Sequence, residues 1–432
     1  MRLEFRNALL AVTLTLAVTV FAPVGACAYP SGFLRVLDII TDAVLDIRYA
    51  GEDNFVGSKI DGYDAPEAVL SVEAAVALRR AADSLRAQGY TLKIFDAYRP
   101  AQAVAHFVRW GKDLKDTKNK SEYYPNIDKS ALFRAGYISS KSTHSGGSTL
   151  DLTIIDLATG DEVDMGSPFD YFGEISHMGT KLITPLQAEN RRILSEAMKN
   201  AGFSPMKTEW WHFKLQKEPY PNKKFDFPVK AAIADEKTTA VLESVAGGAD
   251  RVITAAPGKT KDRAIVRTYE KTGNDWALRF TTEGYFGKNG VKMDKREGDK
   301  ATPSGVYTFG RAFGVAGDPG SKLPYTKVTD LDVWVDDPKS KHYNQWAAKN
   351  APDADWKSAE QLIKYPKPYK YVLSINYNTD PVVPGNGSAI FLHCSTGNPT
   401  AGCISVPEDA MIFFLGFIDE NTKIAIFSKM EN

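Results

Sequence analysis

The first half of the chain alternates between segments with helical and with strand-like spacing of apolar residues. Apolar positions recur three and four residues apart over residues 71–88, which predicts a helix that Gly89 ends. Residues 90–95 alternate apolar and polar side chains and predict a strand. A second helix is predicted over residues 184–200, and the aromatic segment 209–215 is predicted as a strand. This mixture indicates an α+β domain.

The second half has a different pattern. Residues 251–255, 264–269 and 276–280 are strand-like runs, separated by short segments that contain Gly, Asn and Asp. Turn residues at this spacing are typical of a β-rich domain. No internal repeat relates the two halves, so the second half is a different domain and not a copy of the first.

A chain of 432 residues is too long for one ordinary domain. Lysine, proline and alanine become frequent after the first half, which predicts a linker with at most one short helix. We therefore predict a multidomain protein, with an α+β domain over residues 29–215, a linker over 216–249 and a mainly β domain over 250–432.

Composition excludes some classes of partner. The 53 basic residues balance the 53 acidic residues, so the formal net charge is zero. A neutral chain gives no reason to expect nucleic acid or an anionic membrane as a partner.

Residues 1–28 have the composition of a secretory signal. Two arginines lie near the start, residues 8–22 are almost wholly apolar, and Ala26-Cys27-Ala28 offers a small-x-small cleavage site. The apolar run is shorter than the about 20 residues that a membrane span needs. We expect an exported protein, periplasmic or in the cell envelope, with no membrane span in the mature chain. The alternative is a lipoprotein anchored through Cys27.

A candidate zinc site combines a Ser/Gly-rich stretch with a distant aromatic segment. His144 and Asp151 belong to the first, and Glu209 and His212 to the second. A catalytic zinc ion needs three nitrogen or oxygen ligands and an open position. His144, Asp151 and His212 can supply the ligands, which leaves Glu209 as a general base for water. Taken singly, each residue is equally compatible with a turn or a cap, and only the joint pattern indicates metal.

That joint pattern resembles the D-Ala-D-Ala dipeptidases of the vancomycin-resistance type, in the zinc D,D-peptidase family. The resemblance covers about residues 33–215 and includes the segments 46–50, 54–55, 96–100, 169–172 and 190–192. It implies one catalytic Zn²⁺ ion, with Arg99 stabilising the transition state. It also implies that Asp170 binds the free amine of the dipeptide and that Ser142 contributes to substrate binding.

Arg99 follows the predicted strand 90–95 directly, beside the candidate metal site. Its guanidinium group could hydrogen-bond the oxyanion that forms when water attacks a carbonyl. The alternative is a structural salt bridge. His106, His177 and His342 do not fall on the ligand pattern, so we expect them to be surface or core residues.

The second domain has its own candidate chemistry. A predicted strand delivers His393, and Gly402-Cys403 follows about ten residues later. A histidine beside a cysteine can lower the pKa of the thiol from about 8.5, and the thiolate then attacks a carbonyl. Backbone amides near Gly402 could hold the oxyanion. Buried structural Cys and His residues give the same pattern, so the pair alone does not decide between the two roles.

The surrounding residues resemble the YkuD-type L,D-transpeptidases. The resemblance covers about residues 251–426 and rests on 284–290, 297–307 and the His393…Cys403 pair. It implies Cys403 as nucleophile, His393 as its base and Gly402 in substrate binding. The family commonly has arginine where this chain has Ser405. The additional Cys394 suggests a disulfide with Cys403 that would mask the nucleophile.

Together the two resemblances predict an exported enzyme of bacterial cell-wall metabolism, with D-Ala-D-Ala or peptidoglycan stem peptides as substrates. A dipeptidase is the first interpretation of the first domain. A D,D-carboxypeptidase that trims pentapeptide stems to feed the transpeptidase is the second. In a third interpretation the C-terminal domain is an inactive wall-binding module that tethers the peptidase.

Overall fold

The computed structural model describes residues 29–230 and 233–429. The predicted signal segment 1–28, with Cys27, lies outside the described residues. Within the described ranges, no helix combines the length and the apolar character that crossing a bilayer requires.

The first domain combines a mixed sheet with helices. Its helices are α1 Val72–Arg86, α2 Ala101–Lys112, α3 Lys120–Tyr123 and α4 Pro185–Asn200. Its strands are β1 Phe33–Arg35, β2 Val44–Leu45, β3 Val69–Ser71, β4 Tyr90–Asp96, β5 Thr149–Asp156, β6 Phe203–Pro205 and β7 His212–Leu215.

The two long helices begin at side-chain caps. The hydroxyl of Ser71 accepts from the amide of Ala74 at the start of α1. Thr184 and Gln187 form a reciprocal capping box at the start of α4. Such caps satisfy amides that have no partner within the helix. Both predicted helices are confirmed, with ends within two residues of the prediction.

The sheet brings the predicted metal ligands into register. Its strand order is β2-β4-β5-β7-β6. Asp151 on β5 is opposite His212 on β7, and on its other side it is opposite Asp96 on β4, next to a β-bulge. Asp96, Asp151 and His212 therefore lie side by side across three neighbouring strands.

The predicted strand over residues 209–215 is shorter in the structure, since β7 starts at His212. The amide of His212 donates to the carbonyl of Glu209 at 3.4 Å and closes a turn. Trp210 and Trp211, each 1% exposed, occupy the middle of this turn. The turn explains how Glu209 and His212 reach one site, although residues three apart on a strand point to opposite faces.

The second domain is rich in strands. Its helices are α5 Glu236–Ala246 and α6 Glu408–Phe417. Its strands are β8 Arg251–Pro257, β9 Arg263–Thr272, β10 Asp275–Tyr285, β11 Val291–Lys292, β12 Thr302–Pro303, β13 Gly305–Gly314, β14 Tyr325–Lys327, β15 Asp332–Val335, β16 Trp346–Ala348, β17 Ala359–Gln361, β18 Val372–Ile375, β19 Phe391–Cys394, β20 Ile404–Val406 and β21 Lys423–Ile426.

Most of these strands form one closed path. The order is β20-β19-β18-β13-β21-β8-β9-β10, and β10 pairs back with β20 at Tyr285 and Ser405. Closure of a sheet removes its unpaired edges. A separate three-stranded sheet, β16-β15-β17, lies outside this path. This architecture agrees with the predicted α+β domain followed by a mainly β domain.

The two domains share a sheet and a core. β1 of the first domain pairs with β10 of the second, with Leu34 opposite Phe280. Helix α1 also contacts α6. In the segment predicted as a linker, Phe225 and Phe227 pack edge-on against Phe33, with ring centroids 4.9 and 5.0 Å away. The described part of that segment therefore packs into the folded domains, and Val229 and, on α5, Leu242 are buried.

Candidate active sites

Three potential metal ligands converge in the first domain. Nε2 of His144 lies 3.2 Å from Nδ1 of His212, and Oδ1 of Asp151 lies 3.5 Å and 3.0 Å from these two nitrogens. The carboxylate of Asp151 is buried, and its Oδ1 makes no hydrogen bond of acceptable geometry within the described residues. A buried carboxylate oxygen without a donor is costly unless a cation binds it.

The geometry of this cluster fits a zinc ion. Ligands at 2.0–2.1 Å from zinc in a tetrahedral arrangement are about 3.3 Å apart. The three measured separations of 3.0, 3.2 and 3.5 Å bracket that value. Two imidazoles and one carboxylate are also the donor types found in catalytic zinc sites. The residues present therefore fit the metal that the resemblance implies.

His144 is held in the tautomer that a metal ligand needs. Its Nδ1 donates to the backbone carbonyl of Ala97 at 2.7 Å, which leaves the lone pair of Nε2 free for the cluster. The imidazole is almost fully buried, and burial lowers its pKa. For Asp151 burial acts to raise the pKa, but the two neighbouring imidazoles outweigh it and hold the pKa below its ordinary value.

Arg99 lies at the edge of this cluster. Its Nε donates to Asp96 at 2.8 Å, and one terminal nitrogen is 3.4 Å from Oδ2 of Asp151. The guanidinium carbon also lies over the ring of Tyr49, 5.1 Å from the centroid. Asp96 fixes the orientation of the guanidinium group, and the group lines the same cavity as the ligands. The arginine therefore makes structural ion pairs and also faces the site.

Glu209 lies next to the ligands without being one of them. Its Oε2 is 3.5 Å from Nδ1 of His212, and its side chain lines the same cavity. Burial raises the pKa of this carboxyl group above its ordinary value. A carboxylate with a raised pKa is suited to accept a proton and then return it.

Asp170 and Ser142 line the same cavity, which has a volume of about 490 Å³. The hydroxyl of Tyr49 donates to Oδ2 of Asp170 at 2.7 Å, and Asp170 is 6% exposed. Burial raises the pKa of Asp170 well above its ordinary value. The hydroxyl of Ser142 accepts from the amide of His144 at 3.2 Å. A cationic group entering the cavity would find a buried carboxylate at Asp170.

Two residues of this site had no predicted role. Asp96 orients Arg99, and Tyr49 orients Asp170. Both belong to segments that carry the resemblance, so those segments were the signal that could have identified them. The other histidines lie elsewhere, as predicted: His106 is within 3.1 Å of Asp61, His342 is within 3.1 Å of Asp353, and neither lines the cavity.

In the second domain the pairing of β19 and β20 brings His393 and Cys403 to one face. His393 is opposite Ser405 in this parallel pair. Side chains alternate along a strand, so Cys403 and Ser405 share a face. The imidazole packs edge-on against Tyr369, with centroids 5.6 Å apart. The hydroxyl oxygen of Ser405, where the family commonly has arginine, is buried and has no hydrogen-bond partner in the described parts of the chain.

The charge state of this pair differs from the expectation. Burial lowers the pKa of His393 to about 4, and its Nδ1 donates to the carbonyl of Cys394 at 2.9 Å. Burial likewise raises the pKa of the Cys403 thiol to about 12. We expected the histidine to lower the thiol pKa, but desolvation dominates and both groups are neutral near pH 7.

The hypothesis of a Cys394–Cys403 disulfide is not supported, because both thiols are free in the structure. Cys394 packs into the main core with Leu392, whereas Cys403 packs on the other face with Phe391. Alternate residues of a strand point to opposite faces, which separates the two sulfur atoms. The thiol of Cys403 instead donates to the carbonyl of Ala389 at 3.3 Å.

Gly402 and Cys403 line a second cavity of about 500 Å³. A Cβ atom on Gly402 would lie 3.2 Å from the carbonyl oxygen of Ala301, so the loop packs closely here. The amide of Gly402 donates to the hydroxyl of Thr400 at 3.1 Å, so one of the backbone amides that we expected to hold the oxyanion already has a partner. The opposite wall of the cavity includes residues of β17, which had no predicted role.

Comparison with known proteins agrees with both resemblances. The sequence model of the D-Ala-D-Ala dipeptidase family matches residues 30–230, and that of the L,D-transpeptidase catalytic domain of YkuD type matches residues 259–426. The D-alanyl-D-alanine dipeptidase of Enterococcus faecium is 44% identical over 199 residues, which is 46% of this chain and 98% of the relative. The dipeptidase of Streptomyces coelicolor is 38% identical over 98% of its length, and that of Escherichia coli is 32% identical over 84%. These matches cover 46% and 42% of this chain. The chain therefore belongs to the D-Ala-D-Ala dipeptidase family, and its second domain is an L,D-transpeptidase catalytic domain.

Proposed function

We propose that the first domain is a zinc-dependent hydrolase of D-Ala-D-Ala and that the second forms peptidoglycan cross-links through a thioester on Cys403. The observation that carries the first part is the convergence of His144, Asp151 and His212 in the cavity that also contains Glu209. A zinc ion held by these three residues would act as a Lewis acid on the scissile carbonyl and acidify water.

Glu209 is the general base in this proposal. It takes the proton from the attacking water and returns it to the nitrogen of the leaving D-alanine. Its burial supports the role, since a raised pKa makes the carboxylate a stronger base towards the proton of water, and the carboxylic acid that results can pass this proton to the leaving amine. Arg99, fixed by Asp96, donates to the oxyanion of the tetrahedral intermediate.

Asp170 favours a free dipeptide over a pentapeptide stem. Its carboxylate is buried in the cavity wall and held by Tyr49. An ammonium group would pair with this carboxylate, whereas the amide nitrogen of a longer peptide carries no charge to compensate its burial. The dipeptide has a free ammonium group close to the scissile bond, and the stem does not.

The test is D-alanine release from D-Ala-D-Ala and from a pentapeptide stem, with and without zinc chelation. We expect cleavage of the dipeptide that a zinc chelator abolishes, and little cleavage of the stem. Asp170→Asn should remove the preference for a free over an N-acetylated dipeptide. Cleavage of the stem at a similar rate would instead favour a D,D-carboxypeptidase. If neither substrate releases D-alanine in a reaction that the chelator abolishes, the proposed zinc hydrolase is contradicted.

For the second domain we propose acyl transfer between neutral partners. As Sγ of Cys403 attacks the donor carbonyl, the thiol proton passes to His393 and then to the nitrogen of the departing D-amino acid. A thioester remains, and an amine or water resolves it. The placement of the imidazole on the same face as the thiol supports this order of proton transfer.

Intact-protein mass after incubation with a tetrapeptide donor tests the thioester. We expect an acyl adduct on the wild type and none on Cys403→Ala. Binding of peptidoglycan without any adduct would instead support a tethering module. We also propose export directed by residues 1–28, for which secretion of a reporter fused to this segment is the test.

A further inference from the structure

A carboxylate lies in the cavity that contains the thiol of Cys403. Glu360 is on β17, in the small three-stranded sheet, and its half-buried side chain lines the cavity. The hydroxyl of Tyr369 donates to Oε1 of Glu360 at 2.7 Å. The ring of the same tyrosine packs against His393. Tyr369 therefore connects Glu360 with the proposed base and holds its carboxylate in a fixed position.

A second carboxylate lies beside the first. Asp336 lines the same cavity, and its Oδ1 is buried without a hydrogen-bond partner in the described parts of the chain. A buried carboxylate oxygen without a donor is unfavourable in the free protein. A cationic donor bound in the cavity would remove this penalty.

The basic residues of the cavity leave Glu360 without an ion pair. Lys295 is bound to Asp299 at 2.7 Å and to a backbone carbonyl. Lys300 and Lys364 also line the cavity. Within residues 29–230 and 233–429, however, no lysine, arginine or histidine nitrogen lies within ion-pair distance of Glu360, whereas pairs such as Lys370 with Glu408 do form nearby.

A negative charge in this position opposes the first half of the proposed reaction. Glu360 acts electrostatically to raise the pKa of Cys403, which makes loss of the thiol proton harder. The carboxylate therefore does not assist the acylation of Cys403. It is suited to the second half-reaction, in which a cationic amine must be attracted to the thioester and must lose a proton before it can attack.

We propose that Glu360, supported by Asp336, binds the ammonium group of the acyl acceptor and is the base that deprotonates it. The acceptor class is a primary aliphatic amine that is cationic in solution. The inference rests on the proposed thioester on Cys403. One amine proton passes to Glu360 as the nitrogen attacks the thioester carbonyl. The new C–N bond forms, the C–S bond breaks, and the second proton of the amine passes through the neutral His393 to the leaving sulfur.

The test separates the two half-reactions in the full-length mature protein. Wild type, Glu360→Gln and Tyr369→Phe are acylated with a tetrapeptide donor, and adduct formation is followed by intact mass. The adduct is then resolved by the side-chain amine of Nα-acetyl-lysine amide or by hydroxylamine, which is uncharged at neutral pH. Glu408→Gln, which removes an exposed carboxylate outside the cavity, is the control.

We expect Glu360→Gln to form the adduct at least as fast as wild type, and to lose about 100-fold in aminolysis by the lysine amine. Its reaction with hydroxylamine should change little, and Tyr369→Phe should show a smaller loss of the same kind. If Glu360→Gln is acylated and its rates of reaction with the lysine amine and with hydroxylamine keep the wild-type ratio, the role of Glu360 is overturned, whereas the thioester on Cys403 still stands. Failure of wild type to form any adduct would overturn the thioester, and the assignment with it.

Discussion

Asp151 and His212 are directly opposite each other on β5 and β7, and Nδ1 of His212 lies 3.0 Å from Oδ1 of Asp151. The pairing of two adjacent strands thus fixes two of the three predicted metal ligands. The third, His144, reaches the same point from the loop that precedes β5. Register in this sheet therefore determines whether the site can bind metal.

Removal of one ligand should abolish metal binding without unfolding the domain. We expect His212→Ala to be purified with far less than one zinc ion per chain, because two protein ligands hold zinc poorly. Elemental analysis of the purified protein and circular dichroism provide the measurement. His106→Ala, whose ring lies against Asp61 and outside the cavity, should retain its zinc. Full zinc content in His212→Ala would contradict the ligand assignment.

Glu209→Gln should separate catalysis from metal binding. The side chain is 3.5 Å from His212 but is not one of the three converging ligands, so zinc content should be unchanged. Loss of a general base reduces turnover by about 10²–10⁴-fold. Measurement of kcat for D-Ala-D-Ala together with zinc content checks both expectations. A variant that loses zinc and activity in parallel would show that Glu209 serves the metal and not the proton transfer.

The site shows which parts of the prediction depended on local sequence. The helix α1 was predicted because its apolar spacing is regular and Gly89 follows it. The convergence of Glu209 with His212 was not explained, because the buried tryptophan pair that bends the chain into a turn acts through tertiary packing. The ligands themselves were identified from their joint pattern and its resemblance to a zinc peptidase family, since each residue alone is compatible with a turn or a cap.

In the second domain, the properties that were not predicted result from tertiary burial. The positions of His393 and Cys403 were predicted, but their neutral state was not, since it results from burial under Tyr369 and its neighbours. Glu360 had no predicted role because it comes from a strand about forty residues earlier in the chain than Cys403. Only the tertiary fold brings a carboxylate into the cavity with the thiol.

Buried His393 should make the protein less stable in acid. Burial lowers its folded pKa to about 4 from an ordinary 6.5. Between these values the unfolded chain binds a proton that the folded chain does not, so stability falls as pH falls. From pH 7 to pH 5 the loss is about 2 kcal/mol in the free energy of unfolding.

Urea denaturation at the two pH values measures this effect. His393→Gln should lose that part of the pH dependence, so its free energy of unfolding should change less between pH 7 and pH 5 than that of wild type. Cys403→Ser retains the histidine and should keep the pH dependence of the wild-type free energy of unfolding, which makes it the matched control. An equal pH dependence of the free energy of unfolding in wild type and His393→Gln would show that the imidazole is not held neutral by burial.

The two domains should unfold as one unit. Leu34 is fully buried, lies on β1 and is opposite Phe280 of the second domain, so one short strand contributes to both cores. Leu34→Ala should lower the free energy of unfolding by about 3 kcal/mol, since it leaves a cavity at this junction. The proposed dipeptidase activity and the proposed acylation of Cys403 are independent probes of the two domains, and both should be lost over the same range of urea concentration. Val306→Ala, at an exposed position on β13, is the control and should change stability little. If one activity survives at urea concentrations that abolish the other, the shared strand does not couple the domains, and each site depends only on its own core.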